Sequence, residues 1–366
     1  MITFKQFLLL EGGNVTIDDQ EAERIDLTKH NRSDIVKKID AALISINNQF
    51  KKDHGKPIWN DALLKSKKFL SGSAFHFFNG AIDDKTFTKY KSSVGDIDTQ
   101  VDKTMDAEIK DFLTKSKGKT FGPVTLIGFK TSAGQHISLW RLKDPGINIQ
   151  VDLEMVDFDE NNAPTDWSNF SHSSSWEDMT QGVKGVAHKY LLRALDAPKL
   201  KDIVLKAKTA RGTDKEMKSS ETAFSVTHGV RQKLKPVLDT NGKQVMVNGK
   251  PAYHEMDTKE SKGDTNLANI FKNYFGREAS ADDIKKLSSF TGLLSLINKT
   301  FKDGDKQKIT DGFARTLYGP QAQGLYKNDP QKDAEEKLAM MKLLNKTLGT
   351  KDNFDADRKT FYAAYK

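Results

Sequence analysis

The sequence predicts an α+β protein in which a mixed β-sheet with flanking helices is followed by a small β-hairpin region and a helical C-terminal domain. Three features predict it. Residues 95–102 (Gly-Asp-Ile-Asp-Thr-Gln-Val-Asp) and 147–155 (Ile-Asn-Ile-Gln-Val-Asp-Leu-Glu-Met) alternate polar and apolar side chains with the two-residue period of a strand. Between them, Met105, Ile109, Phe112 and Leu113 recur at helical spacing. Beyond about residue 266 only the helical period remains.

The elements follow in chain order. Residues 2–10 form a short amphipathic segment, and residues 12–32 are polar and acidic enough for an arm or linker. Ser33 stands where it would cap a helix carrying Ile35, Ile39, Leu43 and Ile46. Residues 68–75 are a short apolar run, broken by Gly72-Ser73, that leads into a stretch able to open a helix. After the strand at 96–102 comes a helix over 104–116, then strands over 123–130 and 136–142 joined by Thr131-Ser132-Ala133-Gly134. The strand with Asp152 arrives after the turn Lys143-Asp144-Pro145-Gly146. Residues 161–175 read as a Ser- and Asn-rich loop, followed by a helix over about 176–195. Asp239-Thr240-Asn241-Gly242 and Asn248-Gly249 are hairpin turn signals. The final helices carry Leu267, Ile270, Phe271 and Phe275, then Ile284, Leu287, Phe290, Leu293, Leu294 and Ile297, then Leu338, Met341, Leu344 and Leu348. Their aromatics are expected mostly in the domain's own core.

Bulk properties bound the function. A chain of 366 residues exceeds the usual single-domain size, so two or three domains are expected. The divisions fall at residues 1–55 (leader, arm and helix), 56–210 (sheet domain) and 211–366 (basic region of hairpins, then helices). No apolar run is long enough to span a bilayer and no secretory leader is visible, which predicts a soluble cytoplasmic protein with no membrane partner. The absence of cysteine excludes disulfides and thiolate metal sites, so any metal is held by oxygen.

Charge is unevenly placed. Residues 1–200 hold 27 basic and 28 acidic side chains, whereas residues 201–366 hold 31 and 22, so the net +8 lies in the C-terminal part. Lys199, Lys201, Lys206, Lys208, Arg211, Lys215 and Lys218 form one basic stretch, and Arg231, Lys233 and Lys235 another. Such a surface attracts RNA or DNA through phosphates, although lysine-rich solvated faces also occur without a ligand. Lysine outnumbers arginine, which suits loose electrostatic contact better than bidentate base reading.

The candidate chemistry lies in the alternating strands. On a strand, Asp96, Asp98, Gln100 and Asp102 point one way and Ile97, Thr99 and Val101 the other. Two carboxylates one residue apart suit a hard divalent cation, which takes oxygen ligands and shares its shell with substrate phosphates. Asp152 and Glu154 share a face with Gln150 in the later strand. A solvated sheet face would give both patterns as well. Gly72-Ser73, placed before the Asp pair, has the composition of a phosphate-approaching turn. His172, Lys184, His188 and Lys189 are candidates to face a bound ligand, but the last three read first as the polar side of a core helix.

These residues, Gly72-Ser73, then Gly95-Asp96-Ile97-Asp98, then Asp152 within an apolar strand, resemble the DNA polymerase beta-like nucleotidyltransferase superfamily over about residues 60–160. The interval between Ser73 and Asp96 is longer than that superfamily usually shows, so an inserted turn or helix is expected there, within Asp83, Asp84, Lys85, Lys89 and Lys91. The resemblance implies a nucleotidyltransferase-like fold over residues 56–210, with Asp96, Asp98 and Asp152 holding Mg2+ or Mn2+. It also implies that Gly72, Ser73 and Gly95 bind the NTP, that Asp152 takes the proton from the attacking hydroxyl, and that the reaction moves NMP from NTP to a hydroxyl on RNA or protein with release of pyrophosphate. Residues 211–366 would then recognise the acceptor.

Met1 to Gly13 is similar to the leaders of tailed-bacteriophage proteins, including those cut after Leu-x-Glu, which Leu9-Leu10-Glu11 fits. That resemblance implies a phage protein in the host cytoplasm, with some copies packaged in the virion. The alternative to an enzyme is a non-catalytic phage structural or packaged nucleic-acid-binding protein. A glycosyltransferase using Asp-x-Asp would leave Gly72-Ser73 and the Asp152 strand unexplained.

Overall fold

The computed structural model describes residues 15–132, 134–172, 184–206, 214–226, 228–257, 261–319 and 330–351. The leader at residues 2–10, with Leu9-Leu10-Glu11, therefore lies outside the described residues. The chain is mixed α+β and divides into two units, Met1–Thr180 and Gln181–Lys366.

The arm expected over residues 12–32 is instead built into the first unit where it is described. Strands β1 (Thr16–Ile17) and β2 (Gln20–Glu21) form a hairpin, with Asp18 and Asp19 at positive φ in its turn. β3 (Ile25–Asp26) pairs with β4 (Ser93–Val94). Ile17 and Ala22 pack with Ile137 and Leu139, and Ile25 and Leu27 enter the main core. Four apolar side chains spread over two-residue strands and the residues beside them leave no periodic signal, which is why composition alone reads as a linker.

Helix α1 (Arg32–His54) follows. Its cap is Asn31 rather than Ser33: the Asn31 side chain accepts from the Asp34 N–H, while the Ser33 hydroxyl is directed to Asp84. Ile35, Ile39, Leu43, Ile46 and Phe50 line its buried stripe. Gly55 ends it in the left-handed conformation that glycine adopts without a Cβ penalty. Helix α2 (Asp61–Ser66) is capped by Asn60.

The interval between Ser73 and Asp96 holds two short helices, α3 (Gly72–Phe78) and α4 (Asp84–Tyr90). Buried Arg32 fastens them. Its guanidinium donates to the carbonyls of His76, Phe77, Asn79 and Ile82, pairs with Asp84, and lies 4.7 Å from the centre of the Phe87 ring.

Strand β5 (Asp96–Asp102), a 3-10 turn and helix α5 (Asp106–Ser116) lead into β6 (Thr120–Phe121), β7 (Val124–Ser132), β8 (Gln135–Leu142) and β9 (Ile147–Val156). The sheet order is β5-β9-β8-β7-β6, with β5 and β9 parallel and the other pairs antiparallel. Residues 69–71 run along the outer side of β5: the Gln100 N–H donates to the Phe69 carbonyl and the Ser71 N–H to the Asp98 carbonyl. Helix α6 (Asp166–His172) occupies part of what the sequence reads as loop. Its Trp167 and Phe170 are buried, a signal masked by the surrounding Ser and Asn.

In the second unit, helix α7 (Lys184–Ala194) precedes a sheet with the path β11-β10-β16-β14. These strands are β10 (Lys201–Leu205), β11 (Lys215–Ser219), β14 (Leu234–Pro236) and β16 (Lys250–Glu255). β15 (Met246–Val247) joins β16 through Asn248-Gly249, both at positive φ as a tight hairpin turn requires. β12 (Thr222–Ser225), β13 (Gly229–Gln232) and β17 (Gly263–Asp264) form a second small sheet. Helices α8 (Leu267–Phe275), α9 (Ala281–Leu287), α10 (Phe290–Thr300), α11 (Asp303–Leu317) and α12 (Pro330–Leu348) follow, with Phe271, Phe290, Phe313 and Leu344 buried. Among the described residues, no helix is long and apolar enough to cross a membrane.

Candidate metal centre

Parallel pairing of β5 with β9 sets Asp98 directly opposite Asp152, and Asp96 opposite Gln150. The register brings the three carboxylates together: one oxygen from each of Asp96, Asp98 and Asp152 lies within 4.8 Å of the others. The face they share is partly covered, with Asp96 and Asp98 half-buried and Asp152 buried. Asp152 is 5% exposed, and Gln100 and Gln150 are buried. The Gln100 amide donates to the Ser168 carbonyl of α6, and the Gln150 amide donates to both oxygens of Asp152 at 3.0 Å.

Like charges held this closely away from water resist ionisation. Burial, then the neighbouring Asp96, Glu154 and Asp152, push the Asp98 carboxyl well above the usual carboxylate range, opposed by Lys91. Burial, with Asp96 and Glu154, pushes Asp152 up to about 8, and the Gln150 hydrogen bond works against that rise. Lys91, just past the end of α4, is pushed down by burial, with Asp96 and Asp98 acting the other way.

The backbone at the start of α3 closes in on the same point. Gly72 has φ +53°, and a Cβ there would stand 2.8 Å from Asp98 Oδ2. The conformation favours glycine, and a Cβ there would push the Asp98 carboxylate aside. Ser73 lies in the first turn of α3, and Gly95 immediately precedes Asp96 between β4 and β5. Ser71, buried at the N-cap position of α3, makes no side-chain cap bond; its hydroxyl donates to Glu154 Oε2 at 2.9 Å.

Of the other candidates, His172 lies beside Gly72. His172 closes α6, its Nδ1 bonded to the Ser168 carbonyl and its main-chain oxygen 3.9 Å from the position of a Gly72 Cβ. His188 is buried in the second unit, where Nε2 meets the Leu287 carbonyl and burial pushes its pKa down to about 4. It belongs to a core helix. The side chain of Lys184 lies outside the described residues. In the basic stretch, Lys199 donates to the Asn273 carbonyl and Lys201 pairs with Glu221. Lys206, Lys215 and Lys218 are at least partly exposed, and Lys208 and Arg211 lie outside the described residues.

Sequence reasoning passed over Gln150 and Glu154 as site residues, although their alternation with Asp152 was visible. Lys91 and Ser71 carried no such signal, because an inserted helix and an edge segment place them. Oxygen donors alone, crowded and short of positive charge, match the preference of Mg2+ or Mn2+. The Asp triad thus fits such an ion on its own chemistry. Comparison with protein-family models and with curated proteins finds no match for this chain.

Proposed function

We propose that the chain is a metal-dependent nucleotidyltransferase of the DNA polymerase beta-like kind, moving NMP from an NTP to an acceptor hydroxyl on RNA or protein. The observation that carries this reading is the meeting of Asp96, Asp98 and Asp152 beside the bare Cα of Gly72. In this reading Asp96, Asp98 and Asp152 hold Mg2+ or Mn2+. When bound, such an ion neutralises phosphate charge and makes the attacking hydroxyl more acidic. Gly72, Ser73 and Gly95 admit the triphosphate close to the main chain, and covered Gln100 and Gln150 help exclude water from one side. Asp152, oriented by the Gln150 amide, accepts the proton of the acceptor hydroxyl. Phosphoryl transfer asks the protein mainly for position and charge, which this set supplies without a covalent nucleophile. The basic excess after residue 200 favours a nucleic-acid acceptor.

The test incubates the protein with each alpha-labelled NTP, Mg2+ or Mn2+, and total cellular RNA and protein, beside Asp96→Ala/Asp98→Ala. Label transferred by the wild type alone is the expected result, and it also names the nucleotide and the acceptor class. No transfer with any NTP, together with nucleic-acid binding that chelator leaves unchanged, would favour a packaged binding protein of phage origin instead.

A further inference from the structure

A fourth carboxylate lies beside the Asp triad. Glu154 leaves β9 on the same face as Asp152, and its charge raises the pKa of both Asp98 and Asp152. It is not one of the three whose oxygens lie within 4.8 Å of one another. A further negative charge at an acid cluster is costly unless it does something a neutral side chain does less well.

What it does is visible at Ser71. An N-cap serine ordinarily bonds its own helix. This one instead donates its hydroxyl to Glu154 on β9, while its N–H donates to the Asp98 carbonyl on β5. One buried residue is thus tied to both strands that carry the Asp triad. The next residue is Gly72, packed on Asp98 Oδ2. We propose that Glu154 is a positioning residue that acts through Ser71 to hold the Gly72-Ser73 turn at the distance from Asp98 at which the triphosphate is received; this rests on the nucleotidyltransferase reading. A charged acceptor strengthens the Ser71 hydrogen bond beyond what a neutral one gives.

Four variants of the full chain separate hydrogen bond from charge: Ser71→Ala, Glu154→Ala, Glu154→Gln and the double Ser71→Ala/Glu154→Ala. Hydrogen exchange of the amides at 70–74 is expected to speed up about tenfold in both alanine variants and locally, with the rest of the first unit unchanged. In turnover, both raise KM for NTP about tenfold with kcat within about threefold of wild type, and the double variant is no worse than either single one. Glu154→Gln, which keeps an acceptor oxygen, restores most of the KM. Mn2+ affinity without nucleotide stays within about twofold in Ser71→Ala, whose charges are intact. Unchanged exchange in Glu154→Ala overturns the proposal, as do additive effects in the double variant, or faster exchange with KM unaltered. If the wild type binds neither Mn2+ nor NTP, the reading of the site fails, while the exchange comparison still decides whether Glu154 holds the turn.

Discussion

Gly72 shows how narrow the tolerances at this site are. Replacing it with alanine forces a left-handed φ on a residue with a Cβ, at about 1–2 kcal/mol, and sets a methyl group against Asp98 Oδ2. Gly72→Ala is therefore expected to fold less stably and to bind Mn2+ about tenfold more weakly, since the carboxylate must turn away. Calorimetric titration checks this; wild-type affinity in that variant would remove Gly72 from the site. Asp152 supplies a second test at this scale. With its pKa near 8, it carries a proton at pH 7 that a cation must displace. Mn2+ binding is expected to release protons and to strengthen as pH rises towards about 8. Titration in two buffers of different ionisation enthalpy measures the release, and an affinity flat between pH 6 and 8 would contradict it. The identities of the three aspartates were legible because alternation fixes faces. Their pKa shifts were not, because these depend on what covers the face.

At the scale of elements, what the sequence left open was the insertion between Ser73 and Asp96. Its lysines and aspartates gave a helix as one option; its attachment depends on Arg32, in a distant helix and without any local pattern. Arg32→Met should keep the aliphatic packing while leaving four main-chain carbonyls without their donor. A loss of about 3–5 kcal/mol is expected in urea unfolding of the first unit. Retention of wild-type stability would mean that these carbonyls are as well served by water. By contrast, strands β7 to β9 and helices α1, α8 and α10 were readable at once, since each carries a full apolar stripe over several residues. α6 was hidden for the opposite reason, two buried aromatics set among serines and asparagines.

For the whole molecule, Asp152 and His188 act on stability in different ranges of pH. A carboxyl whose pKa is raised on folding weakens the folded state once it must ionise: the penalty is absent below about 3.8, grows with pH, and is complete above about 8 for Asp152. His188 acts in the other direction and in another range. Its pKa is lowered to about 4, so its contribution is complete above 6.5 and lost as pH falls towards 4. Between pH 6.5 and 8 the carboxylate effect is therefore separable. The melting temperature of chelated protein should fall by a few °C across that window, and saturating Mn2+ should raise it more at pH 8 than at 6.5. Equal metal stabilisation at both pH values would show that the acids are ionised without a cation.

The parallel partnership of β5 and β9 has a consequence for the life of the chain. Asp96 and Asp98 belong to the first strand of their sheet to be synthesised and Asp152 to the last, with three strands and a helix made between them. No shorter nascent chain owns the triad, and a slip of one residue between the two strands would turn Asp152 to the opposite face. A divalent ion held by this triad would therefore mark the moment at which the sheet has closed in the correct register, and would by mass action favour the correctly finished fold.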